Sequence, residues 1–240
     1  MGFDTVFKRY EIKYLITKEQ KEKLLEAMAD HVTLDKYGKT TIRNVYLDTN
    51  NYRLIRRSME RPDYKEKIRI RSYSQAANDS TVFVELKKKY DKVVYKRRIP
   101  MTKKEAMDWI LNELPCSKDT QITREINYFI NFYGQMHPSI FLSYDREAYY
   151  CKTGEELRIT FDENILARRD NIDLGSEVYG EALLQDNTVL MELKCAGGIP
   201  LWMARYLSEE KIYKTSFSKY GTAYSKLIFP KIYEKNKETI

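Results

Sequence analysis

Histidine is nearly absent, with His31 and His137 the only two in 240 residues. That scarcity argues against His-based zinc sites and serine-protease-like triads, both of which need imidazole beside set partners. Cysteine is scarce as well. Cys116, Cys151 and Cys195 are an odd number, show no C-x-x-C spacing and have no histidine cluster beside them, so a reduced, cytoplasmic compartment fits best. No apolar run approaches the roughly 18 residues of a membrane span, and Met1 to Tyr10 has no apolar segment that could act as a signal peptide. Neither an internal repeat nor a low-complexity tract is present. Gly197-Gly198 reads as a turn, because the Gly-Lys-Ser/Thr of a phosphate loop is missing.

What the chain has is charge in strand register. Lys and Arg number 42 against 35 Asp and Glu, giving a formal net charge of +7 and a pI near 9.0, which favours an anionic partner without naming it. From Tyr64 to Tyr73, Lys65, Lys67, Arg69 and Arg71 alternate with Glu66, Ile68 and Ile70, so a two-residue period puts four cations on one strand face. Across a turn, Phe83, Glu85, Lys87 and Lys89 alternate with Val82, Val84 and Leu86. A third strand from Val93 to Ile99 adds Lys96 and Arg98. The twenty tyrosines fall mostly at packing positions, and with no RNA-binding module in the sequence, nucleic acid is not the expected partner.

The same alternation recurs along the chain. Phe7 to Ile16 carries Arg9, Glu11 and Lys13 on one side, and Thr17 to Gln20 is a capping box that opens a helix to about Asp30. Thr40 to Asp48 reads as a strand and Thr49 to Arg57 as a short helix. Helices are expected from Thr102, stopped by Pro115, and over Gln121 to Tyr133, ended by Gly134. Strands resume over Ile140 to Tyr150, Glu155 to Glu163 and Thr188 to Cys195, which present Arg146, then Arg158 and Asp162, then Glu192 and Lys194. Short helices over Leu201 to Leu207 and Ser216 to Phe229 complete the pattern, with Gly221 a weak point in the last.

About eight strands with hairpin-like connections predict an α+β fold in which a closed antiparallel eight-stranded β-barrel carries its helices outside. The helices need an apolar sheet face, so the charge must point inward and make a polar tunnel. The expected domain is single and spans 1–240, with a core over about 7–229 and a basic tail over 230–240. On the charged face, Arg9, Lys13, Lys65, Lys67, Arg69, Arg71, Lys87, Lys89, Lys96, Arg98, Arg146, Arg158 and Lys194 oppose Glu11, Glu85, Asp162 and Glu192. A partly desolvated cavity holds such an excess only with water or bound anions, and a triphosphate would satisfy several cations at once. Glu85 and Asp162 read as carboxylates that orient arginines. Glu11 and Glu192 are candidates either for ion pairing or for a divalent cation bridging carboxylate and phosphate.

Arg9-x-Glu11-x-Lys13-Tyr14, Tyr46-Leu47-Asp48-Thr49, Lys67-x-Arg69-x-Arg71, Glu85-x-Lys87, Tyr144-x-Arg146, Arg158-x-Thr160-x-Asp162, Met191-Glu192-Leu193-Lys194 and Phe217-Ser218-Lys219-Tyr220 occur in this order. The ordered set resembles the VTC (vacuolar transporter chaperone) polyphosphate polymerase domain, a CYTH-like branch of the triphosphate tunnel metalloenzymes. The resemblance implies transfer of the ATP γ-phosphoryl group to inorganic polyphosphate, with ADP released and Mn²⁺ or Mg²⁺ as cofactor. Phosphate-handling roles fall on Lys13, Arg69, Arg71, Lys87, Arg146 and Arg158 as the catalytic set, and on Lys194 and Lys219. Arg9, Lys67, Lys96 and Arg98 are expected to join them as phosphate ligands. The metal role falls on Glu192, with Glu11 a second ligand. The family also has members with inositol-phosphate-sensing and membrane-spanning segments, which this chain is not expected to carry, and accessory members that do not polymerise. A tunnel-type triphosphatase and a non-catalytic polyphosphate- or nucleotide-binding module are the alternatives.

Overall fold

The computed structural model describes residues 10–91, 93–154 and 156–232. The strands are β1 (Tyr10–Thr17), β2 (Val32–Leu34), β3 (Thr40–Asp48), β4 (Tyr64–Ser72), β5 (Thr81–Tyr90), β6 (Val93–Thr102), β7 (His137–Cys151), β8 (Leu157–Arg168), β9 (Glu181–Ala182), β10 (Thr188–Cys195) and β11 (Lys214–Thr215). The helices are α1 (Lys18–Ala27), α2 (Arg53–Met59), α3 (Lys103–Ile110), α4 (Gln121–Tyr133), α5 (Leu201–Glu209) and α6 (Lys219–Ala223), the last continuing into a π-helical turn over Tyr224–Ile228. Among the described residues no helix is long and apolar enough to cross a membrane.

Two compact units form from alternating segments of chain. One is drawn from Met1–Thr41, Tyr144–Ile165 and Leu184–Phe217. Its strand order is β11-β1-β10-β8-β7, with β2 added to β7. Antiparallel register pairs Lys13 with Glu192 and Glu192 with Thr160, so β1, β10 and β8 share one charged face. Their other face supplies Tyr14, Ile16, Ile159, Phe161, Met191 and Leu193, which pack with Leu24 and Met28 near α1 and with Met203 and Leu207 of α5. Burying each such side chain contributes about 1.5–3 kcal/mol. The α1 capping box forms as the sequence predicts: the Thr17 hydroxyl accepts from the Gln20 N–H, and the Thr17 N–H donates to Gln20 Oε1, each at 3.0 Å.

The other unit is drawn from Ile42–Ser143, Leu166–Leu183 and Ser218–Ile240. Its order is β7-β3-β4-β5-β6, with β9 on β8. Ile68, Ile70, Val82, Val84 and Leu86 meet Ala106, Trp109, Ile126 and Phe129 of α3 and α4, so here too the apolar strand face lies under helices. Glu66 sits on that face but is satisfied: the Tyr133 hydroxyl of α4 donates to it at 2.8 Å, and Lys88 lies 3.6 Å away. The irregular stretch after β8 is organised by Arg168. Its guanidinium lies between the rings of Phe141 (3.7 Å) and Tyr179 (4.1 Å) and donates to the carbonyls of Asp170, Asn171 and Tyr179.

The expected closed eight-stranded barrel is not found. Among the described residues eleven strands are present, and the hydrogen-bonded path runs from β11 to β6, which do not pair with each other there. Three of the strands, β2, β9 and β11, are two or three residues long and offer no period to read. The open end at β6 has a local cause. The strand expected to end at Ile99 runs on through Pro100, which lies opposite Phe83, and a residue without an N–H is tolerated on an edge strand. Lys96, Arg97 and Arg98 put charge along the same edge, which discourages pairing. Gly221, read as a weak point, sits where a Cβ would lie 3.0 Å from Met59 Sδ and 3.1 Å from Ser218 Oγ. Close approach, as well as helix propensity, bears on the residue there.

Candidate functional site

On β4, β5 and β6 the charged residues form rungs. Lys67 lies opposite Lys87, and Lys87 opposite Lys96; the next rung is Arg69, Glu85 and Arg98, followed by Arg71 opposite Phe83. Glu85 is the centre. It is 1% exposed, and its Oε2 accepts from Arg69 Nε at 2.8 Å and lies 2.7 Å from Arg69 Nη2, with Arg71 Nε at 3.8 Å. Its Oε1 lies 2.8 Å from Lys96 Nζ and 3.5 Å from Arg98 Nε. Burial alone would raise the Glu85 pKa, but Arg69, Arg71 and Lys96 outweigh it and hold the carboxyl well below the usual range. Burial lowers the Lys96 pKa, and Arg71 and Arg69 add to that against the pull of Glu85. Eight cations, Lys65, Lys67, Arg69, Arg71, Lys87, Lys89, Lys96 and Arg98, thus lie on this face with one carboxylate, and Arg69, Arg71, Lys96 and Arg98 approach it.

A hydrogen-bonded chain fixes the arginines from behind. Arg71 Nε donates to Asn44 Oδ1 at 2.9 Å, and buried Asn44 donates to the Leu142 carbonyl at 3.0 Å. Arg69 Nη1 donates to the Tyr46 hydroxyl at 2.8 Å, and the Tyr46 ring stacks on Tyr220 with centroids 4.7 Å apart. Tyr220 in turn donates to Asp48 Oδ2 at 2.8 Å. Asp48 also accepts from the N–H groups of Thr49, Leu54 and Ile55 at 2.9–3.0 Å, which caps α2. Lys67 donates to Ser218 Oγ at 3.0 Å, and Ser218 caps α6 through the Gly221 N–H.

In the sequence Asp48 and Tyr220 stand only as parts of the Tyr46–Thr49 and Phe217–Tyr220 motifs, and no local pattern gives either a role. Their role here is to support the rungs. Asp48→Asn replaces one acceptor oxygen by a donor facing N–H or O–H groups, so a loss of about 1–3 kcal/mol is expected in urea unfolding. An unchanged midpoint would contradict that role.

In the other unit the charged face is nearly balanced. Arg146 donates to Asp162 through Nε at 2.5 Å and Nη2 at 2.6 Å, a two-pronged pair. Burial works to lower the Arg146 pKa, yet Asp162, with Tyr144 and Glu192, holds it above the ordinary guanidinium value. Glu192 is buried, with Lys13 Nζ at 3.4 Å, Lys194 Nζ at 3.8 Å and Arg146 Nη2 at 3.9 Å. Lys13 Nζ also donates to the Phe217 carbonyl at 2.8 Å and lies 3.9 Å from Glu11. Arg158 lies opposite Lys194, with its guanidinium 5.1 Å from the Tyr150 centroid. Lys13, Arg146, Arg158 and Lys194 are therefore set against Glu11, Asp162 and Glu192, whereas the β4–β6 face carries eight against one.

The sequence-derived residues thus fall into two groups, each inside its own unit. Glu85 and Asp162 touch arginines, as expected. Lys219 is buried in the first turn of α6, beside the Ser218 that Lys67 contacts. Arg9 lies outside the described residues, as does the tail beyond residue 232.

The metal expectation can be tested on the donor set. Glu11 and Glu192 both approach the Lys13 ammonium, so a positive charge already lies near both carboxylates. Two hard oxygen donors suit Mg²⁺ or Mn²⁺, which commonly complete their shells with water and substrate phosphate. Among the described residues no group of three His, Cys, Asp or Glu could hold an ion. Among the described residues the carboxylates therefore make no cage for an ion from protein alone.

Among solved structures, the chain resembles a “putative adenylate cyclase” from Bacillus halodurans with a TM-score of 0.55 and 14% identity, over 88% of this chain and 95% of that one. A second, described in the same words and from Vibrio parahaemolyticus, gives a TM-score of 0.47 at 11% identity over 91% and 98%. At 14% identity the Bacillus halodurans likeness speaks for the fold alone. No curated protein matches. The VTC domain family, however, matches residues 8–228, which include all but the ends of the chain and every charged strand described above. The chain belongs to the VTC domain family.

Proposed function

We propose that the protein is a polyphosphate polymerase that transfers the γ-phosphoryl group of ATP to a growing inorganic polyphosphate chain. The observation that carries this reading is the β4–β6 face, where eight cations stand in register with a single buried carboxylate that four of them approach. Such an excess favours a ligand with many anionic oxygens in a row, and the guanidinium groups of Arg69 and Arg71 match phosphate geometry. Family membership favours the same substrate class.

In the transfer, a terminal oxygen of polyphosphate forms a bond to the γ-phosphorus while the bond to the β,γ-bridging oxygen breaks. ADP leaves with that electron pair, and the polymer gains one phosphate. Phosphoryl transfer needs alignment and stabilisation of charge more than a general base. Arg69, Arg71, Lys87, Lys96 and Arg98 align phosphates, while Lys13, Arg146, Arg158 and Lys194 neutralise charge in their own cluster. Lys67 and Lys219 serve phosphate binding near Ser218. Glu192, with Glu11, would hold Mn²⁺ or Mg²⁺, which when bound supplies charge neutralisation on phosphate oxygens.

The test is incubation of purified protein with ATP and Mn²⁺, followed by separation of products on a polyphosphate gel. A ladder of polymer accompanied by ADP is expected. Orthophosphate as the sole phosphate product would make the protein a hydrolase, and nucleotide binding without turnover would make it a binding module.

A further inference from the structure

One residue on the charged face of β5 is not charged or polar. Phe83 stands in register with Glu85, Lys87 and Lys89, directly opposite Arg71, where the phosphate reading has no use for an aromatic ring. Arg98 lies on it, its guanidinium carbon 3.5 Å from the Phe83 centroid. Tyr73 meets Phe83 edge-on, with centroids 5.6 Å apart and planes at 81°. The Tyr73 hydroxyl accepts from Arg98 Nη2 at 3.1 Å and from Arg71, so two guanidinium groups fix the ring by its hydroxyl. Despite this pinning the group is accessible: Tyr73 is 41% exposed and the Arg98 side chain 34%.

Resting on the polymerase reading, we propose that Tyr73, Phe83 and Arg98 form a stacking platform for the base of the nucleoside triphosphate. The order of rungs gives the reason. Lys67, Arg69 and Arg71 are two residues apart along β4, about 7 Å per step, and the aromatic pair begins at the Arg71 rung. A triphosphate lying along the cationic rungs therefore meets, at the end of its track, an aromatic pair overlaid by the Arg98 guanidinium. A guanidinium lying on a ring presents a plane that accepts a base, and stacking of this kind is tolerant of base identity. The platform would thus distinguish nucleotides from base-free polyphosphates while accepting both purines and pyrimidines.

Calorimetric binding to the full chain tests this with two probes, β,γ-imido ATP and inorganic tripolyphosphate. Tyr73→Ala and Phe83→Leu are compared with the wild type, and thermal melts establish that each variant is folded. The expected result is about tenfold weaker binding of the nucleotide analogue in each variant, with tripolyphosphate affinity within about twofold of wild type. Equal losses for both probes would overturn the proposal, because the cluster would then act only by holding Arg71 and Arg98. No loss for either probe would overturn it too. Wild-type protein that binds tripolyphosphate but not the analogue would remove the platform and leave the phosphate reading standing. Failure to bind either probe would remove both.

Discussion

Glu85→Gln is expected to lower the unfolding free energy at neutral pH by about 3 kcal/mol, because removing one member of a buried ion pair strands the others. The loss is large because four cationic side chains approach this one carboxylate, with Arg69 and Lys96 at hydrogen-bonding distance. Glutamine keeps the volume and an acceptor oxygen, so the deficit reports charge and not a cavity. Acid gives an internal check. The Glu85 pKa is depressed in the folded protein, so its contribution is complete above the unfolded value of about 4.3 and is lost as pH falls toward the folded value. The gap between wild type and variant should therefore be constant at neutral pH and narrow steadily below about pH 4. Tripolyphosphate should stabilise the wild type against urea by binding the native state. A deficit under about 1 kcal/mol that does not change with pH would contradict the assignment of Glu85 as the anionic hub.

The second large effect separates holding phosphate from transferring it. Arg69→Ala removes a guanidinium fixed by Glu85 and Tyr46, and tripolyphosphate affinity should fall roughly ten- to hundredfold, the range of a charge-assisted contact. Glu192→Gln should do the reverse. It takes a negative charge from the Lys13, Lys194 and Arg146 cluster, so phosphate binding is kept or tightened while metal-dependent turnover falls by about 10²–10³-fold. Paired measurements of tripolyphosphate affinity and of turnover against Mn²⁺ concentration read the two effects. Wild-type turnover and metal dependence in Glu192→Gln would remove the metal role from that residue.

Much of this was legible in the sequence because strand period and ladder charge are local signals. Lys65 to Arg71 alternate with a period of two, and that alternation set their face and, through Glu85, their partners. The Thr17 and Thr102 capping boxes and the Gly134 stop were likewise readable from a few adjacent residues. What escaped was made by contacts distant in sequence. Asp48 reaches Tyr220 across 172 positions, and Arg168 lies on the ring of Phe141, in another strand, while gathering a loop whose own residues show no period. Strand count failed for the same reason, since two-residue strands exist only through the partner they pair with. Charge balance was only partly visible. A tally over all strands gives one large excess, but the pairings concentrate it on β4–β6 and leave the Glu192 cluster nearly neutral.

The most direct measurement follows the terminal phosphate itself. Purified protein is given ATP labelled in the γ-phosphoryl group, with Mn²⁺, and the label is partitioned between acid-insoluble polymer and orthophosphate as unlabelled ADP accumulates. Label entering chains that lengthen with time, in step with ADP, is the result expected of a polymerase. Label recovered wholly as orthophosphate, or ATP left intact, would contradict it.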